Sequence, residues 1–314
     1  MYSGQIPDSC SELEGMIDSM GEMNRTPPAS VCKILREEVN YGCPVEGCGS
    51  PFLTWHHFDP MWKEQHHYNP EGMIALCGEH ARMADSGIYT KEKLKHWKTN
   101  PFVKDRLSVL WPWEPENLIF LMGGSIFFSV RPLLTLRQRK VFGAERVQVP
   151  GAIGQKVVFD LDLVDPQGNP IVDMEQNWLT IHTNRLADLR FASGSKEFFV
   201  SHTSGLKMSI RFNRYLPHDF ESRLSRLTNG NKLIVGGATE FAKLHSLDSE
   251  GRIPVVILAG KLFNNDVTLN IKEKVIDMDC HFFHGEKVKM TPKCSLQGSI
   301  VFNLGGQGEI IRFG

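Results

Sequence analysis

Three cysteines and five histidines fall between Cys43 and His80, in a glycine-broken stretch that also carries an Asp-Pro step. The whole chain of 314 residues holds seven cysteines and twelve histidines, so the local density is far above background. Thiols and imidazoles crowded this closely constrain a fold strongly, because one metal ion can tie them together. Cys43 and Cys48 enclose four residues, among them Pro44 and Gly47, which suits a tight knuckle. Cys77 and His80 stand three apart after the apolar run 73–76, which reads as a strand turning into a helix. Two close pairs joined by a long loop make a closed tetrahedral zinc site. The stretch offers little core of its own, so a structural zinc is expected to supply much of its folding free energy.

His56 and His57 follow a short apolar strand and precede Phe58, Asp59 and Pro60. Neighbouring side chains on a strand point to opposite faces. One histidine could hold a divalent cation while the other takes a proton from water, a role imidazole fills because it titrates near neutrality. A cation beside a scissile phosphate would stabilise the developing charge. The alternative is that both are polar groups packed around the knuckle.

Taken together, these residues resemble the HNH endonucleases, the zinc-stapled form of the ββα-metal (His-Me finger) fold. The resemblance is carried by the Cys43/Cys48 pair, the His56-His57 step with Pro60, and the closing run Leu76-Cys77-Gly78-Glu79-His80. It implies that Cys43, Cys48, Cys77 and His80 hold zinc, that His57 is the general base and that His56 binds a catalytic Mg, Mn, Ni or Zn ion. It also implies hydrolysis of DNA, less often RNA, and a defence or DNA-processing role. Two positions depart from the pattern. Ala81 stands where the family has its second metal-binding histidine, and Gly72 where it has an asparagine, with Asn69 out of register. Either activity is lost, or His66 and His67, with Glu64 behind them, supply the missing contact. Asp85 is set aside as too far along the helix to replace Ala81.

Downstream, Thr90 is placed to cap a helix starting at Lys91, with Lys91, Lys95 and Lys98 on one face and Leu94 and Trp97 turned inward. Such a row could follow a phosphate backbone by charge alone; equally, it could be a solvated helix face. Over the whole chain, 35 Lys and Arg meet 36 Asp and Glu, and a net charge of -1 argues against a protein that coats nucleic acid along its full surface.

Three segments are expected: a polar extension over 1–40, with a short helix over 30–38; an HNH-like nuclease domain over 41–114; and a mainly antiparallel β domain over 115–314, a sandwich or layered sheet. The last reads as short β runs at 118–122, 125–130, 156–163, 178–183, 197–202, 207–212, 232–235, 254–258, 267–271, 275–278, 298–302 and 309–313, with turn signals between them. Gly236-Gly237 and Gly305-Gly306 read as turns. Cys280, His281, His284 and Cys294 lack knuckle spacing and read as core thiols and surface histidines. The acidic residues Asp160, Asp162, Asp165, Asp173 and Glu175 read as an outward strand face and turn flanks. No secretory leader or membrane-spanning run is seen, and an odd cysteine count with three thiols committed to metal fits a reducing, cytoplasmic setting. The β domain is expected to direct or regulate the nuclease, through a partner protein or homo-oligomer. Two alternatives stand beside an endonuclease: a nucleic-acid-binding module that has lost catalysis, and a structural assembly protein braced by the knuckle.

Overall fold

The computed structural model describes residues 24–313 apart from 114–117, 129–133, 137–138, 149–154, 193–195, 265–266, 273–275, 281, 285–287, 291–292, 297–299 and 303–310. The chain forms two compact units, one of Met1–Val109 with Ile181–Ser195, the other of Leu110–Thr180 with Lys196–Gly314. A mixed α/β region containing the cysteine cluster is thus followed by β-rich sheets.

In the first unit, helix α1 (Ala29–Glu38) leads into the knuckle. Strand β1 (Leu53–His57) then pairs antiparallel with β2 (Met73–Cys77), Leu53 opposite Cys77 and His57 opposite Met73. Helices α2 (Gly78–Asp85) and α3 (Lys91–Thr99) follow. Thr90 caps α3 as its sequence predicts, its hydroxyl accepting from the Lys93 N–H at 3.2 Å. All five residues of β2 are buried, because helices pack around the hairpin on both sides. Leu35 of α1 and Val39 just after it, Ala81 and Ala84 from α2, and Leu94 from α3 close over Met73, Ile74, Ala75 and Leu76. The knuckle therefore shares a real apolar core, contrary to the expectation that it has little; the missing material comes from α1 and α3, outside the cysteine-rich stretch.

A return segment, strand Leu186–Phe191, completes this unit. Asp188 accepts a forked pair of bonds from Arg36, Nε to Oδ1 at 3.1 Å and Nη2 to Oδ2 at 3.1 Å, with both side chains largely buried. Such two-point charge pairing orients as well as attracts. Phe52 meets Phe191 edge-on at 5.1 Å.

The second unit is built on a sheet in which Glu197–His202, Lys207–Tyr215, Ile253–Asn264, Val267–Ile271, Ile276–Cys280 and Lys293–Leu296 run antiparallel in that order. Ile119–Met122 runs parallel to Ile253–Asn264. Another sheet joins Leu134–Leu136, Arg139–Gln148, Gln155–Val164 and Pro170–Glu175. Two helices, α4 (Pro217–Leu227) and α5 (Lys232–His245), cover one sheet face. Phe220, Leu224 and Leu227 of α4 and Val235, Ala238 and Ala242 of α5 recur at helical spacing and pack on Ile119, Leu121, Ile253 and Val255.

Two expectations are corrected here. Residues 232–235 are the first turn of α5, not a strand, and Gly236-Gly237 lie inside that helix, not in a turn. Asn231 caps it, its side chain accepting from the Ile234 N–H at 3.2 Å, and this cap outweighs the local β propensity of Leu-Ile-Val. Residues 1–23 and Gly305-Gly306 lie outside the described residues, as do the side chains of Cys280, His281, His284 and Cys294. Among the described residues no helix is long and apolar enough to cross a membrane.

Candidate metal centre and histidine cluster

The ends of the hairpin bring the four knuckle ligands together. Cys43 is held by backbone bonds to Ser50 and Gly49, Cys77 closes β2, and His80 sits in the first turn of α2. One ligand atom from each of Cys43, Cys48, Cys77 and His80 lies within 4.8 Å of all the others. Cys48 Sγ and Cys77 Sγ are 3.8 Å apart, and His80 Nδ1 lies 3.1 Å from Cys77 Sγ and 3.4 Å from Cys43 Sγ. A tetrahedral zinc with ordinary bond lengths separates two thiolates by about 3.8 Å and a thiolate from an imidazole nitrogen by about 3.6 Å. The donor set and its spacing fit zinc. Burial pushes the Cys43 and Cys48 thiols above their ordinary range. Thiols so placed ionise only against a compensating cation, which a dication supplies outright.

The histidine pair lies at the other end of β1. Both imidazoles are buried, His56 at 5% and His57 at 2% exposure. His57 Nε2 faces the His67 carbonyl at 3.1 Å, so Nε2 carries the proton and donates. That leaves the Nδ1 lone pair, which is buried and makes no hydrogen bond. Burial, then the neighbouring His67, lowers the His57 pKa to about 4, so the ring is neutral at pH 7.

His56 has a different partner from the one its sequence suggests. Its Nδ1 lies 3.1 Å from Asp85 Oδ1, one turn beyond Ala81 on α2. The contact is within ion-pair distance yet off the line of a hydrogen bond, and Nδ1 is otherwise unsatisfied. Burial lowers the His56 pKa, and the Asp85 carboxylate opposes that shift. Arg25 approaches the same carboxylate at 3.5 Å. Asp85 lies a full turn from Ala81 yet reaches His56, because i to i+4 on a helix keeps both positions on one face.

His66 and His67 take other roles. His67 Nδ1 accepts from the Asn69 N–H at 3.1 Å and Nε2 donates to the Pro60 carbonyl at 2.9 Å, so the ring keeps no lone pair for a cation. His66 stacks on Trp62, centroids 4.3 Å apart and planes 11° from parallel. Glu64 instead caps its own turn, accepting from the Met61 N–H at 3.0 Å. Gly72 also has a physical reason: a Cβ there would stand 2.0 Å from the Asp59 carbonyl oxygen, so no asparagine fits. Asn69 holds the turn Pro70–Gly72 by accepting from the Glu71 N–H at 3.2 Å.

The lysine row divides. Lys91 is exposed and pairs with Asp59 at 2.8 Å, and Lys95 is exposed. Lys98 turns inward, its ammonium donating to Glu38 and, at 2.9 Å each, to the Pro70 and Met73 carbonyls. It is a tie between elements and not part of an outer face. No family model, no curated protein and no solved structure matches the chain.

Proposed function

We propose that the first unit is a zinc-braced nucleic-acid-binding module, with DNA as its partner. The observation that carries this reading is the Cys43–Cys48–Cys77–His80 cluster, whose spacing fits zinc and whose ligands come from the knuckle, β2 and α2. A metal there would hold hairpin and helix as a rigid platform, and Lys91 and Lys95 stand exposed on the adjoining helix. Phosphate contacts of this kind are independent of sequence and weaken with salt. Changing Lys91 and Lys95 together to Gln is expected to weaken binding to unrelated duplexes alike. It should also reduce the slope of log affinity against log salt by about 2 at most. Titrating labelled duplexes at several salt concentrations measures this; an unchanged slope and affinity would remove both lysines from the interface.

A second reading, metal-assisted phosphodiester hydrolysis as the HNH resemblance implies, is favoured by one arrangement: His56, Asp85 and the neutral His57. His56 Nδ1 and the Asp85 carboxylate would hold a divalent cation, Mg, Mn, Ni or Zn, two cis ligands of such an ion being separated by about 3 Å. Bound there, the cation would stabilise charge on the phosphate and the leaving oxygen. His57 Nδ1 would take a proton from water as the water oxygen bonds phosphorus and the bridging P–O bond breaks, while the His67 carbonyl keeps Nε2–H in place. Against this, Nδ1 is closed off in the present arrangement, so the 61–68 loop would have to open first. His57→Ala and Asp85→Asn should each lower cleavage of plasmid and single-stranded substrates by roughly a hundredfold, with binding retained. Binding without cleavage by the wild-type protein under any of the four cations would leave only the first reading.

A further inference from the structure

Residues 24–26 lie beside the histidine cluster, and all three are exposed. They leave from a firm base at Pro27 and Pro28, the two residues before α1, whose φ angles are fixed by their rings. Pro27 is buried, its carbonyl accepting from the Cys32 thiol at 3.2 Å, and the Pro28 carbonyl accepts from the Cys32 N–H at 2.9 Å. Asn24 Oδ1 accepts from the Thr26 N–H at 3.1 Å, which folds the tripeptide into a turn. That turn touches two different elements. The Asn24 carbonyl accepts from the Tyr68 hydroxyl, at the end of the 61–68 loop. Arg25 Nη2 lies 3.5 Å from Asp85 Oδ1 on α2. This is the same oxygen that faces the buried, unsatisfied Nδ1 of His56 at 3.1 Å. Neither Tyr68 nor Asp85 belongs to the apolar core of the unit.

Resting on the cation reading above, we propose that residues 24–26 form an autoinhibitory strap. Arg25 occupies the carboxylate that a divalent cation requires, and Asn24 ties down the loop that closes over His57. A guanidinium and a dication on one carboxylate oxygen repel each other, so one has to leave. Arg25 and Asp85 are 57% and 52% exposed, and an ion pair so open to water is weakly held. Arg25 therefore competes with a cation without shutting it out. The loop is held in the same way: the Trp62 ring and the His67 carbonyl both pack on His57, and Tyr68 at the loop's end is bonded to Asn24. Opening the site requires Asp85 to lose Arg25 and the 61–68 loop to lift. One short turn restrains both, which sets it apart from a scattered surface pair.

The test uses the full-length, zinc-loaded chain with Mn as the probe, bound ion being read from the loss of the free-ion electron paramagnetic resonance signal. Asp85→Asn marks which part of the binding belongs to this carboxylate. Arg25→Ala should tighten the Asp85-dependent binding about fivefold, the upper end for an exposed ion pair, with Arg25→Lys close to the wild type. Hydrogen exchange, measured without added Mn, reads the other contact. Tyr68→Phe removes only the hydroxyl and should speed exchange of the 61–68 amides about threefold or more. Asp85-dependent binding of equal strength in the wild type and Arg25→Ala would overturn the strap and leave the cation reading standing. Unchanged exchange in Tyr68→Phe would also overturn it, whatever the Mn result. No Asp85-dependent binding in either protein would bring down both the strap and the cation reading.

Discussion

At the residue scale, Lys98 is where helical spacing and tertiary context part. Spacing groups it with Lys91 and Lys95, yet its ammonium is drawn into a site of three acceptors supplied by α1, the Pro70–Gly72 turn and β2. The end of α3 is thereby tied to the hairpin just behind the turn that carries Gly72. The side chain is 10% exposed, so replacing it by methionine leaves Glu38 without its cation and two carbonyls without a donor. Glu38 is 31% exposed and can regain water, so the loss comes mainly from the two carbonyls and amounts to about 2 kcal/mol. Lys98→Met should lower the urea midpoint accordingly, whereas Lys95→Gln should leave it within about 0.5 kcal/mol of the wild type. Chemical denaturation of the two variants side by side measures the contrast. Equal midpoints would return Lys98 to the outer face.

At the scale of elements, what could be read from the sequence depended on how local the cause was. The knuckle ligands, the run 73–76 as a strand and the Thr90 cap each follow from residues within a few positions of one another. The partner of His56 did not, because it depends on how α2 crosses the hairpin. Position 81 was the expected source of a ligand and Ala81 is instead buried in the core, while Asp85, a turn later, brings its carboxylate to the imidazole. An acidic residue at i+4 from a missing ligand on the same helix was the available signal. His67 illustrates the reverse error: a ligand-rich loop suggested metal contacts, yet backbone groups at Pro60 and Asn69 occupy both ring nitrogens. In the second unit, 232–235 has strand-like composition and folds as helix. Asn231 starts it and the sheet beneath selects Val235, Ala238 and Ala242 at helical spacing. Gly236 and Gly237 are tolerated because α5 has fourteen residues and an apolar stripe to hold it.

At the scale of the molecule, two units with separate cores imply two responses to loss of metal. The first unit has apolar packing from α1 and α3 as well as the cysteine cluster, so it is not held by zinc alone. Its cluster nevertheless joins the knuckle to β2 and α2, and removing the ion leaves buried thiols with no charge partner to orient them. The second unit has α4 and α5 packed on its own sheet, far in sequence from the cysteines. Calorimetry of the zinc-loaded chain should accordingly give two transitions, and only one should move on chelation. Loss of even about 3 kcal/mol from a unit of this size lowers its midpoint by about 12 °C or more. Cys77→Ala should shift the same transition and remove stoichiometric zinc from elemental analysis, with the other transition unchanged. A single transition that moves as a whole would mean that the units unfold as one, and a chain purified without zinc would remove the brace on which the binding platform depends.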